Sequence, residues 1–109
     1  MEDLERVTEV FKALSEPLRL RTMLLLSRGE RTVGELVEAV GAPQSTVSRH
    51  LAVLRAAKLV GTERRGASVT YRLADAHLEG LLVEAFSHAQ HERLGLADHP
   101  SVEVDEATA

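Results

Sequence analysis

Apolar residues recur every three or four positions through the first part of the chain, which predicts two amphipathic helices. The apolar stripes of these two helices are Leu4, Val7, Phe11 and Leu14, followed by Leu20, Met23, Leu24 and Leu26. Between the stripes, Ser15 is expected to cap the second helix, and Pro17 suits its first turn. Gly29 is expected to end it.

The next segment predicts a short helix, a tight break and a longer helix. Thr32 and Glu35 have the spacing of a capping box, in which each side chain accepts a hydrogen bond from the backbone of the other residue. Gly41 would end this short helix, and Pro43 suits the first position of a helix over about residues 43 to 57. This order is typical of a helix-turn-helix unit.

Alternating residues then predict a small β-hairpin. Val69, Tyr71 and Leu73 are spaced by two, as expected of a strand with one buried face, and two extended runs flank residues 64–68. Asp75 is expected to cap a final helix over residues 77–92. The predicted fold is mainly α with a small β-hairpin wing, a winged helix-turn-helix spanning residues 1–94, followed by a flexible tail over residues 95–109.

Composition limits the chemistry of the chain. It has 109 residues and no cysteine, so disulfides, thiolate metal sites and thiol nucleophiles are excluded. No apolar run reaches the roughly 18 residues that cross a bilayer, and the acidic start does not resemble a secretory signal. We therefore expect one cytoplasmic domain without a membrane partner.

Charge is distributed unevenly along the chain. The net charge is −4, yet residues 44–72 carry six basic side chains against Glu63 alone, a local charge of +5. The remaining residues therefore sum to −9. A basic face on an acidic body suits binding to nucleic acid, because phosphate attraction depends on the local potential.

The helix opened by Pro43 has side chains suited to reading DNA. Its apolar positions Val47, Leu51 and Leu54 fall on one side and are expected to face the core. The residues predicted to contact DNA from this helix and from the wing tip are Gln44, Ser45, Ser48, Arg49, Arg64 and Arg65. Glutamine pairs well with adenine and arginine with guanine, whereas the wing arginines suit the minor groove or phosphates. The alternative for each of these residues is a solvated surface.

The final helix carries a second constellation. His77 and His88 are eleven residues apart, roughly 16 Å along a helix, so one metal ion cannot reach both. They nevertheless share a helix face with His91. Two such helices packed antiparallel about a two-fold axis would place Asp75 and His77 of one chain beside His88 and His91 of the other. The sequence thus predicts a homodimer with two intersubunit sites for Zn(II), Ni(II) or Co(II), which accept imidazole and carboxylate ligands.

Three segments, ALSEPLRLR (13–21), QSTVSRHLAVLR (44–55) and RRGASVTYRL (64–73), resemble the ArsR/SmtB family of winged-helix, metal-responsive repressors. The resemblance runs from about residue 4 to residue 92. It implies a homodimer, formed through the first and last helices, that binds an inverted repeat in double-stranded operator DNA and leaves when its effector binds. It also implies that residues 44–49 include the base-reading stretch.

The resemblance further implies where the effector binds. Family members that use a thiolate site keep a cysteine in the third helix, where this chain has Val37. Asp75, His77, His88 and His91 match instead the site on the C-terminal helices. The residues from 94 onward resemble the tails of nickel- and cobalt-responsive members, so His99 is a candidate extra ligand. Zinc and nickel or cobalt both stay open.

The histidine and aspartate residues also suggest two other functions. A winged-helix regulator could respond to a partner, to pH or to a small molecule instead of a metal, since histidines near a dimer interface can act as a proton switch. A metallohydrolase needs an open metal position and a general base, neither of which the predicted four-ligand site offers. We therefore do not expect an enzyme.

Overall fold

The computed structural model describes residues 2–95, which form five α-helices around a small sheet. In chain order the elements are α1 (Glu2–Leu14), α2 (Pro17–Leu26), β1 (Arg31–Thr32), α3 (Val33–Val40), α4 (Gln44–Ala56), β2 (Val60–Arg65), β3 (Ser68–Leu73) and α5 (Ala76–Leu94). The predicted winged helix-turn-helix class is confirmed. Among residues 2–95, no helix is both long and apolar enough to cross a membrane.

The core joins the helix-turn-helix to the first two helices. Val47, Leu51 and Leu54 of α4 are at most 1% exposed, as their shared side of the helix predicted. They pack with Met23 of α2 and Leu36 of α3, both fully buried. Because this cluster holds one side of α4, the opposite side of the helix is left at the surface.

The capping box of α3 forms as predicted. The Glu35 amide donates to Thr32 Oγ1 at 3.2 Å, and the Thr32 amide donates to Glu35 Oε1 at 2.8 Å. Gly41 ends the helix with a φ of 70°, a left-handed conformation that glycine adopts without steric cost. The chain can therefore turn sharply into α4.

The sheet has one more strand than the predicted hairpin. β2 and β3 pair antiparallel, with Val60 opposite Leu73 and Arg65 opposite Ser68. The short strand β1 pairs with the other edge of β3, so that the order is β1-β3-β2. The hairpin prediction was incomplete because β1 has only two residues, too few to show an alternation of apolar and polar side chains. β1 forms only through its pairing with β3.

Two boundary predictions need correction. Ser15 does not cap α2; Glu16 holds that position without a side-chain hydrogen bond, and Ser15 Oγ donates back to Lys12 O at 2.7 Å. Pro43 precedes α4 as its N-cap and is not its first helical residue. With only two residues joining α1 to α2, the hydroxyl of Ser15 reaches the end of α1 instead.

Two arginines connect α1 to the longer helix of the helix-turn-helix. Arg6 of α1 donates through Nη2 to the carbonyl of Ala57, the C-cap of α4. Arg19 of α2 donates through Nε to Ala13 O, and its Nη1 lies 3.4 Å from His50 Nδ1 on α4. α1 is therefore linked to α4 at Ala57 and, through Arg19, at His50.

Candidate nucleic-acid interface and metal-ligand residues

The exposed side of α4 carries the predicted base-reading residues. Gln44, Ser45, Ser48 and Arg49 are all exposed, and Gln44 is the first residue of the helix. The N-terminal turns of such a helix are the part that usually meets base edges in the major groove. This face therefore has the residue types and the exposure that groove reading requires.

The wing tip contains the two arginines that were both predicted to contact DNA, but their surroundings differ. Arg65 Nη2 lies 3.2 Å from Glu63 Oε1 and 3.6 Å from Glu30 Oε1. Hydrogen bonding by Glu63, followed by its charge and that of Glu30, raises the pKa of Arg65 above its ordinary value. Within residues 2–95, Arg64 has no hydrogen bond or ion pair of its side chain.

Sequence reasoning missed the two carboxylates that hold Arg65. Glu63 could have been found, because residues two apart on a strand share one face and Glu63 precedes Arg65 by two. Glu30 gave no such signal, since it precedes β1, a strand that was not predicted. Its approach to Arg65 depends on the folding of the whole sheet.

The predicted metal ligands all belong to α5 or its N-cap. Asp75 caps the helix as predicted, because its Oδ1 accepts a hydrogen bond from the Leu78 amide at 3.2 Å. The same oxygen lies 3.6 Å from His77 Nδ1, and the His77 side chain is 99% exposed. His88 is exposed and His91 is half-buried, both near the other end of the helix.

A single chain does not gather these ligands into one cluster. Within the part of the chain that the structure describes, no group of three or more histidine, aspartate, glutamate or cysteine side chains could hold a metal ion. Asp75 and His77, at the N-terminal end of the helix, lie close to each other. The fifth predicted ligand, His99, lies outside the described residues. The donors nevertheless fit a transition metal chemically, because each offers an imidazole nitrogen or a carboxylate oxygen.

The segment of α5 between the two ligand pairs includes three exposed apolar side chains. Leu81, Val83 and Phe86 are 38%, 48% and 39% exposed. At about 100° per residue, Leu81 and Glu84 lie on nearly the same azimuth as His77, His88 and His91. One helix face therefore presents ligand residues at both ends and an uncovered leucine with a carboxylate between them.

Comparisons with known proteins place this fold in a class and then in a family. A solution structure of the homodimeric winged helix-turn-helix DNA-binding domain of a Mycobacterium bovis protein has a TM-score of 0.79 and 31% sequence identity, over 88% of this chain and 89% of that one. A crystal structure of the transcriptional repressor BigR from Xylella fastidiosa has a TM-score of 0.70 and 37% identity, over 79% of this chain and 92% of that one. The class is that of winged-helix DNA-binding domains.

The sequence narrows the class to one family. The profile of the bacterial regulatory protein, arsR family, matches residues 16–62. The HTH-type transcriptional regulator NmtR of Mycobacterium tuberculosis is 44% identical over 97 residues, 88% of this chain and 81% of NmtR. This chain belongs to the arsR family, which consists of regulators and not of enzymes.

A second relative shows how much of a family member the chain spans. The HTH-type transcriptional repressor SmtB of the same species is 44% identical over 88 residues, which are 81% of this chain and 65% of SmtB. The chain thus spans just under two thirds of the length of SmtB.

Proposed function

We propose that this protein is a homodimeric transcriptional repressor that binds operator DNA through α4 and the wing and leaves it when a transition metal binds between the two α5 helices. The single observation that carries the proposal is the face of α5. That face has ligand residues at both ends and the exposed Leu81 between them.

The DNA-binding part of the proposal is supported by charge and exposure. Residues 44–72 carry a net charge of +5 from six basic side chains and one acidic one in a chain of net charge −4. Gln44, Ser45, Ser48 and Arg49 are exposed on a helix whose other side is fixed in the core. A rigid helix that presents donors and acceptors in this way suits the major groove.

The dimer is supported by uncovered apolar surface on two helices. On α1, Leu4, Val7 and Phe11 are 62%, 48% and 55% exposed although they form a regular stripe. On α5, Leu81 is 38% exposed on the face that carries His77 and His88. A helix that turns its apolar stripe to water in one chain gains free energy when a second copy covers it.

The length of α5 supports a metal site shared between two subunits. His77 and His88 are separated by roughly 16 Å of helix, so the two ends of one helix cannot share an ion. In an antiparallel pair, the N-terminal end with Asp75 and His77 meets the C-terminal end with His88 and His91 of the other copy. These four residues would hold the metal, and its coordination would join the two helices.

Regulation requires metal and DNA to favour different arrangements of the dimer. A coupling free energy of about 1 to 3 kcal/mol changes affinity roughly 5- to 150-fold, which is typical of allosteric proteins. By linkage, metal must bind the DNA-free dimer more tightly by the same factor.

The test is a titration of zinc, nickel and cobalt into the dimer, with and without a duplex that the protein selects from a random pool. We expect tighter metal binding without DNA, by roughly the factor that weakens DNA binding. Equal affinities would refute the allosteric claim. Loss of DNA binding on acidification in the presence of chelator would instead favour a regulator controlled by pH.

Two substitutions separate the two proposed surfaces. His88→Ala should abolish the response to metal and leave metal-free DNA binding nearly unchanged, whereas Arg49→Ala should weaken DNA binding and leave metal binding intact. Gln90→Ala, an exposed change on the opposite side of α5, is the matched control and should alter neither. Impairment of the same activity by both His88→Ala and Arg49→Ala would contradict this division.

The choice of metal can be read from the cobalt-substituted dimer. Four-coordinate cobalt gives much stronger ligand-field absorption than six-coordinate cobalt, so one spectrum distinguishes the zinc-like site from a nickel- or cobalt-like site. If the site is six-coordinate and includes His99, His99→Ala should change the cobalt spectrum. If the site is four-coordinate without His99, the same substitution should leave the spectrum unchanged.

A further inference from the structure

We propose that the two wing arginines have different roles: Arg64 contacts a DNA phosphate, whereas Arg65 is held by Glu30 and Glu63 and positions the wing. The two carboxylates thereby limit the attraction of the wing for DNA. This inference rests on the proposed DNA-binding function, and it divides a role that the sequence assigned to both arginines alike.

One face of the sheet carries a ladder of alternating charges. Glu63 and Arg65 are two residues apart on β2 and share a face with Gly61, whose partner on β3 is Arg72. Glu63 Oε1 lies 3.2 Å from Arg65 Nη2 and 3.8 Å from Arg72 Nη1. The Arg72 guanidinium lies across Gly61, where an added Cβ would be 3.7 Å from its Cζ. Glu63 is thus shared between two guanidinium groups.

The ladder continues to the body of the domain. Glu30 precedes β1, the strand on the far side of β3, and its Oε1 lies 3.6 Å from Arg65 Nη2. Arg65 therefore connects the wing to the segment between α2 and β1. The ladder of Glu30, Glu63, Arg65 and Arg72 contains two negative and two positive groups, so its net charge is zero.

Arg64 stands outside this ladder. It alternates with Glu63 and Arg65 along β2 and lies on the other face, the one that buries Val60. β2 packs against α4, so Arg64 extends from the side of the sheet on which α4 lies. It is exposed, and within residues 2–95 its side chain has no hydrogen bond or ion pair.

The different surroundings imply different contributions to DNA binding. An arginine that contacts a phosphate releases counterions from the DNA. Affinity falls as salt concentration rises, and each such contact adds about 0.9 to the magnitude of the slope of log affinity against log salt concentration. Arg65 is already neutralised by two carboxylates, which also repel any phosphate that approaches. Each exposed ion pair is weak alone, but the carboxylates stay beside the wing even when Arg65 moves.

The experiment measures affinity for a duplex that the wild-type protein selects from a random pool. The salt concentration is varied between 50 and 200 mM, a range over which phosphate contacts change affinity by about tenfold or more. Arg64→Ala should lower the slope by about 0.9, and Arg65→Ala by less than about 0.3. Glu63→Gln, alone or with Glu30→Gln, should tighten binding and raise the slope toward one additional contact, because Arg65 is then released.

The control is Glu92→Gln, which removes one negative charge from α5, far along the chain from the wing. It should leave the slope unchanged, which separates a local effect of Glu63 from a general effect of charge. Equal losses of slope in Arg64→Ala and Arg65→Ala would overturn the inference, as would unchanged affinity in the Glu30→Gln, Glu63→Gln double variant. A wild-type protein that binds no duplex would refute the proposed function and this inference with it.

Discussion

Phe11 on α1 offers the most direct measure of the proposed dimer. Phe11 is 55% exposed in one chain, on the same helix face as the exposed residues Leu4 and Val7. We expect Phe11→Ala to weaken dimerisation and to leave the fold of each subunit intact, because little of the core depends on this ring.

The size of the effect follows from the exposed area. A phenylalanine side chain buries roughly 200 Å² when fully covered, so 55% exposure leaves roughly 110 Å² for a partner to cover. At about 25 cal/mol per Å², and allowing for the area that alanine retains, the loss is about 2 kcal/mol per copy and about 4 kcal/mol per dimer. The dissociation constant should rise about a thousandfold.

Sedimentation equilibrium over a range of protein concentrations measures this constant, and circular dichroism checks that the variant is folded. Val53→Ala is the matched control, because Val53 is 38% exposed on α4, outside the proposed interface. A dissociation constant that changes less than about threefold in Phe11→Ala would refute the reasoning. A threefold change corresponds to about 0.7 kcal/mol, which is too little for a phenylalanine ring that the partner covers.

Two further predictions concern stability and are measured by urea unfolding followed by circular dichroism. Leu54→Ala should lower the free energy of unfolding by about 2 to 5 kcal/mol, because Leu54 is fully buried in the core; a cost similar to that of Val53→Ala would contradict this. Thr32→Ala should cost about 1 kcal/mol by removing the acceptor for the Glu35 amide, and an unchanged midpoint would show that the capping box contributes nothing.

The parts of the fold that the sequence predicted depend on contacts between near neighbours. The capping box of Thr32 and Glu35 and the N-cap at Asp75 each involve residues three apart, so their signal is present in the local sequence. The buried side of α4 was also predictable, because the spacing of Val47, Leu51 and Leu54 determines which side they share.

The parts that were missed depend on distant residues. β1 has no pattern of its own and forms because Arg31 and Thr32 meet Tyr71 and Thr70 across the sheet. The same pairing brings Glu30 within reach of Arg65, so the difference between the wing arginines could not be predicted without β1. Ser15 had a residue type suited to a cap, but its hydroxyl found a nearer carbonyl at the end of α1.

The candidate site divides in the same way. Exposure of Gln44, Ser45, Ser48 and Arg49 follows from helix periodicity and was predictable from the sequence. The ligand positions on α5 follow from the same periodicity. Their assembly into a four-ligand site depends on a second copy of the chain and stays a prediction.

Arg6 lies on the helix that we propose as a subunit contact, and it holds the C-terminal end of α4 through the carbonyl of Ala57. In a two-fold assembly, the packing of the two α1 helices then determines the distance between the two α4 helices. Half-sites on DNA lie about one double-helical turn apart, roughly 34 Å, for proteins of this kind. Operator geometry would therefore evolve by substitutions at the subunit boundary, without any change to a base contact.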